Sequence, residues 1–164
     1  MKSNSELETD QKKALNLRDI ILGGQDGLVN VLGVTLGVAG ASGDTRLVLA
    51  AGLAAAFAES FSMAAVAYTA SITGSRAALD ALIVGLSAIL GSFIPLTPFI
   101  FLPISSGMGV AVVVSAVALF FLGFYKARVT GRPVVRVGLE ITAIGLAAAL
   151  VGYLVGMLFK DPAV

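Results

Sequence analysis

The chain contains no cysteine and no histidine. Disulfides, thiolate or imidazole metal ligands, haem attachment and every Ser-His or Cys-His catalytic arrangement are therefore excluded. Any metal it meets must be held by oxygen or thioether ligands. The lack of cysteine also removes the usual sequence evidence for a redox compartment. Charge is scarce too: charged residues make up 13% of the 164, and eleven basic against ten acidic side chains leave a net charge of +1. The basic residues are spread over short segments rather than gathered into a patch, which sets nucleic-acid binding aside. No paired-aspartate or metalloprotease constellation occurs, and the isolated carboxylates have no nucleophile beside them. The chain does not read as an enzyme.

What is present is apolar. Hydrophobic residues account for 57% of the chain and the mean hydropathy is +0.96, values of an integral membrane protein rather than a soluble domain. A helix needs about 20 apolar residues to cross about 30 Å of hydrocarbon. Five stretches qualify: Ile21 to Ala41, Leu47 to Ala70, Leu79 to Leu102, Gly107 to Tyr125 and Val137 to Phe159. The expected fold is therefore all-α, a single five-helix transmembrane domain over residues 21–160 behind a tail of residues 1–20. Ala14 to Ile20 of that tail would form a short interfacial helix. The tail is too polar and too acidic for a cleavable signal peptide. Ser42-Gly43-Asp44-Thr45 and Thr73-Gly74-Ser75-Arg76 read as tight turns between antiparallel helices. Pro95, Pro98 and Pro103 interrupt the third stretch, leaving Pro95 to Ser106 open as a kinked tail, a re-entrant piece or an extended loop.

Nine of the eleven basic residues fall on one side of this topology: Lys2, Lys12, Lys13, Arg18, Arg76, Lys126, Arg128, Arg132 and Arg136. Short cytoplasmic loops collect Lys and Arg, so the N-terminus is expected in the cytoplasm. Three acids then acquire a depth. Glu59 falls near the midplane of the second helix, with Asp26 and Glu140 in the inner parts of the first and fifth. A carboxylate at bilayer depth costs roughly 2.5–3.5 kcal/mol even on lenient insertion scales. It is tolerated chiefly against a partner, a cavity or a transported ion.

Spacing adds neighbours to these acids. Asp26, Asn30, Gly33 and Gly37 recur every three or four residues and share a helical stripe, and Met63 lies one turn beyond Glu59. Carboxylate, amide oxygen and thioether together would suit a soft divalent transition ion such as ferrous iron, or manganese or cobalt. The candidate ion pathway is Asp26, Asn30, Glu59, Met63 and Glu140, with Glu59 as the point of proton exchange. Each has a plainer reading beside it. Glu59 and Asn30 could join helices by hydrogen bonds, and Asp26 could cap the first helix after a Gly23-Gly24 turn. Met63 could be core filler, and Glu140 could pair with Arg136 four residues before it. Gly33-x-x-x-Gly37 and Gly152-x-x-x-Gly156 are close-packing motifs, placing the first and fifth helices together within a protomer or across a dimer. A path lined by so slender a bundle would be easiest to enclose at a two-fold interface, so a homodimer is expected.

The string from Asp26 to Ala41, DGLVNVLGVTLGVAGA, followed by AAGLAAAFAESFSMAAVAYTAS from Ala50 to Ser71, resembles the first two helices of the vacuolar iron transporter family. GLSAILGSFIPLTPF and GLEITAIGLAAALVGYLVG resemble its third and fifth, so the likeness runs from about Leu22 to Leu158. The resemblance implies a five-helix dimer moving ferrous iron, sometimes manganese, out of the cytoplasm in exchange for protons, with Asp26, Glu59 and Met63 as pathway residues. No resident cofactor is implied, and the partners are the bilayer, the divalent ion, protons and a second copy. The host membrane would be the plasma membrane in a prokaryote and a vacuole-like organelle in a eukaryote. Two departures stand out. Ala67 precedes Tyr68 where members carry glutamate, and only a short turn stands where many iron exporters insert an acid- and Met-rich cytoplasmic domain. The alternative reading is a non-transporting membrane scaffold whose buried acids only join helices.

Overall fold

The computed structural model describes residues 4–70 and 76–160, with side chains from residue 17 onward. Five helices follow in order: α1 (Asn4–Ser42), α2 (Thr45–Ala70), α3 (Ala77–Phe101), α4 (Ile104–Thr130) and α5 (Val134–Leu158). Each is long and apolar enough to cross a membrane, the first over Leu17–Ser42. The outer surface is correspondingly greasy. Phe61 is 75% exposed, Phe101 77% and Leu158 81%, which no soluble fold would present so widely.

Three boundaries differ from the sequence expectation. Residues 4–20 continue α1 without a break, so there is no separate interfacial helix. Gly23 and Gly24 lie inside that helix and Asp26 well past its start, which rules out a capping role. Pro95 and Pro98 are buried inside α3, and only Leu102 and Pro103 separate it from α4. A transmembrane helix keeps such prolines where neighbours pack tightly and hydroxyls back-bond to the chain, as Thr97 Oγ1 does to the Phe93 carbonyl at 2.7 Å. The expected turn at Thr73–Ser75 lies outside the described residues.

The α1–α2 connection is built as its residues suggest. Gly43 takes φ +62°, a left-handed conformation that favours glycine, and its N–H donates to the Ala39 carbonyl at 3.1 Å. The Asp44 carboxylate then accepts from the Arg46 N–H at 2.7 Å, capping the first turn of α2.

Helix α1 is the centre of the bundle and packs against all four others. Around it the remaining helices follow in chain order, α2 on α3, α3 on α4 and α4 on α5, and the ring is left open between α5 and α2. The core rests on α1 residues Leu28, Val31, Leu32 and Leu36 against Val48, Leu96, Phe99 and Leu119. Glycine lets the backbones meet. A Cβ on Gly91 of α3 would sit 2.2 Å from the Gly24 carbonyl, and one on Gly156 of α5 1.9 Å from the Gly37 carbonyl. Gly33 and Gly37 thus face Gly152 and Gly156 within one chain.

Candidate functional site: an acid-lined cleft

Where the ring is open, α1 shows its stripe of Asp26, Asn30, Gly33 and Gly37 to a cleft of about 880 Å³. Glu59 of α2 stands on one side, and Val151, Gly152 and Val155 of α5 on the other. Helix α2 is held in register by a seam at every fourth residue, Val48, Gly52, Ala56 and Ser60, all buried. At its lower end the Ser60 hydroxyl donates to the Gly85 carbonyl of α3 at 2.7 Å. Glu59, next in the helix, is thereby turned off the seam toward α1.

Depth brings the polar groups together. Asp26 is nine residues from Leu17 and Glu59 eleven from Ala70, about 13 and 16 Å from the same end of the bundle at 1.5 Å per residue. The two helices run antiparallel, so these positions are level. Asn30 Nδ2 donates to Glu59 Oε2, and the Asp26 carboxyl lies within hydrogen-bonding reach of Glu59. Asp26 and Asn30 are exposed to the cleft and Glu59 is half-buried. Two carboxylates this close in a low dielectric repel each other strongly, and a cation between them would relieve that repulsion. Beyond the triad the cleft is apolar, walled by Val34, Val38, Val151 and Val155.

The other candidates stand elsewhere. Met63 is half-buried one turn beyond Glu59 and is not among the cleft's lining residues. Glu140 does not reach the cleft. It accepts from Arg136 at 3.1 Å and Arg132 at 3.3 Å, and its side chain is 40% exposed. Exposed pairs of this kind contribute about 0–1 kcal/mol. Glu140→Gln is therefore expected to lower stability by no more than about 1 kcal/mol, read as the thermal unfolding midpoint in detergent. A markedly larger loss would mean that the Glu140 carboxylate holds more than these two exposed pairs.

Sequence reasoning missed two features. The α5 valines that complete the cleft carry no chemical signal and become visible only from the docking of α5 on α1. Asp19 faces Asp80 across α1 and α3, with Arg18 and Arg76 alongside. Its signal was a carboxylate at the very start of an apolar span.

Fold and site together define an integral multi-pass membrane protein with an acid-lined intramembrane cleft. The sequence profile of the VIT family matches residues 17–77 and 72–157, and the chain belongs to that family. An uncharacterized protein of Methanocaldococcus jannaschii is 28% identical over 171 aligned positions, covering 87% of this chain and 89% of its own. Vacuolar iron transporter 2 of Oryza sativa subsp. japonica is 34% identical over 80 residues, 48% of this chain and 32% of the transporter. Vacuolar iron transporter 1 of Arabidopsis thaliana is 34% identical over 79 residues, again 48% and 32%. The chain thus matches about a third of the length of these plant transporters.

Proposed function

We propose that this chain transports a divalent transition metal, ferrous iron or manganese, out of the cytoplasm in exchange for protons. The observation that carries the reading is the convergence of Asp26, Asn30 and Glu59 at the polar end of an open intramembrane cleft. Family membership and the names of the plant relatives support the transported class. The ion would reach Asp26 and the Asn30 amide oxygen, displace a proton held between the carboxyls, and rest against Glu59. Release would return the proton. Met63 does not line the cleft within one chain, so its thioether would reach the ion only after a shift of α2, where it would favour a softer ion over magnesium or calcium. The valine-walled stretch beyond would block ions until the helices move apart, since an apolar constriction gates by dewetting.

Two carboxylates and one amide do not fill the coordination sphere of a divalent ion. Among the described residues no group of three or more acidic side chains forms. A second copy set against the open side of α1 would bring a matching triad across a two-fold axis, so the working unit is a homodimer. That copy would also cover the gap between α5 and α2.

The test is uptake into proteoliposomes holding the purified protein and a pH-sensitive dye. Ferrous or manganous ion flux accompanied by opposite proton movement is expected. Absence of flux for both ions, in either orientation, would leave the acids as helix-joining groups and the protein as a membrane scaffold.

A further inference from the structure

Glu59 and Ser60 are neighbours on α2 that tie it to different helices. Glu59 accepts from Asn30 of α1, and Ser60 donates to the Gly85 carbonyl of α3 at 2.7 Å. Hydroxyls inside helices commonly bond back to their own chain. Thr35, Ser87, Ser92 and Thr97 do so here, each to a carbonyl four residues earlier. Ser60 reaches across to another helix instead.

Its place on α2 gives that bond its leverage. Ser60 is the last buried residue of the helix, and none of residues 61–70 is buried. Higher on α2 both neighbours press on the helix, since a Cβ on Gly52 would meet Leu96 of α3 at 2.4 Å and Thr35 of α1 at 2.9 Å. At Ser60 the close neighbour is α3: a Cβ on Gly85 would stand 3.1 Å from the Ala64 Cβ and 3.3 Å from the Ser60 carbonyl oxygen. Glu59 is one residue earlier and about 100° round the helix, so its direction follows from how firmly Ser60 holds α3.

We propose that Ser60, through the Gly85 carbonyl, is a positioning residue for the cation site, fixing the rotation of α2 that presents Glu59 to Asp26 and Asn30. It touches neither the ion nor the carboxyls. This inference rests on the reading of the cleft as an ion site. Gly85 lies inside α3, where its carbonyl keeps its helical partner, so loss of the hydroxyl leaves no orphaned acceptor and acts on orientation. A buried hydrogen bond of this kind is worth about fivefold in population. A site assembled for only a fraction of the time has its apparent affinity lowered by that fraction.

The experiment compares manganous ion uptake into proteoliposomes, as a function of concentration, for wild type, Ser60→Ala and Ser60→Thr. Ser60→Ala is expected to raise the apparent KM about fivefold with maximal flux little changed, because saturating metal draws Glu59 back into place. Ser60→Thr keeps the donor and should restore KM. A second arm needs no transport. The chain has no cysteine, so V66C, two turns beyond Glu59 on the same face and at a position 59% exposed, takes a single fluorinated tag. Its fluorine NMR resonance should be narrow in V66C, broaden or split in V66C/S60A, and recover in V66C/S60T. An unchanged KM in a conducting protein, an unchanged resonance in V66C/S60A, or failure of threonine to restore either readout overturns the proposal. Absence of flux in the wild type would sink the transport reading alone and leave the resonance to decide the positioning.

Discussion

Glu59→Gln is expected to reduce metal flux in proteoliposomes to the background of protein-free vesicles while the folded protein is recovered in normal yield. The physical asymmetry is between charge and shape. Gln retains an oxygen that can accept from Asn30 Nδ2, the contact that now ties α2 to α1, so the helices stay docked. What disappears is the negative charge. A unit charge pair about 4 Å apart at an effective dielectric of 20 is worth about 4 kcal/mol, close to a thousandfold in occupancy, and a divalent ion feels more. Glu59→Asp keeps the charge on a shorter arm and should recover part of the flux. Uptake that survives Glu59→Gln intact would sink the assignment of Glu59 as exchange point. Lost assembly in a protein that never conducts would instead favour the scaffold.

Gly156→Ala should be the most damaging single-methyl change in the bundle. Its Cβ would stand 1.9 Å from the Gly37 carbonyl oxygen and 2.6 Å from the carbon, contacts that no rotamer relieves because both partners are backbone. Helix α5 must move away from α1, and overpacking of this kind costs typically 1–3 kcal/mol or more. The movement would also reset the α5 wall of the cleft, so flux and stability should fall together. Gly109→Ala is the matched control, since a Cβ there meets nothing within 4 Å. It should be neutral or slightly stabilising through helix propensity. Thermal unfolding in detergent, read by size-exclusion recovery, separates the two. Equal midpoints for both variants would mean that α1 and α5 do not cross as closely as described.

The acids show where sequence reading works and where it stops. Asp26, Asn30 and Glu59 could be singled out because each breaks an apolar run at a depth where breaking it is costly. Glu140 breaks a run as well, yet it sits six residues into α5, where Arg132 and Arg136 reach it. Distance from a helix end on paper does not say which way a side chain turns. Pro95 and Pro98 left the end of the third span open between a helical tail, a re-entrant piece and a loop, and the structure selects the helix. A proline marks a probable helix end only when nothing else holds the helix, and here α3 is clamped to α1 along Gly24, Gly27, Ala88 and Gly91, so it runs on to Phe101.

By itself the sequence determined that this is a five-helix membrane protein without disulfide or histidine chemistry. It also determined that α1 and α5 carry small-residue faces and that Asp26, Glu59 and Glu140 interrupt apolar spans. Composition, run length and helical period are local properties, and each can be read without knowing which helix touches which. Only the tertiary structure decided that α1 is central, that the ring around it is open between α5 and α2, and that Asp26 and Glu59 are level within that opening. Those facts depend on helix order, crossing and depth, set jointly by the backbone contacts at glycines far apart in the chain. No window of neighbouring residues contains them.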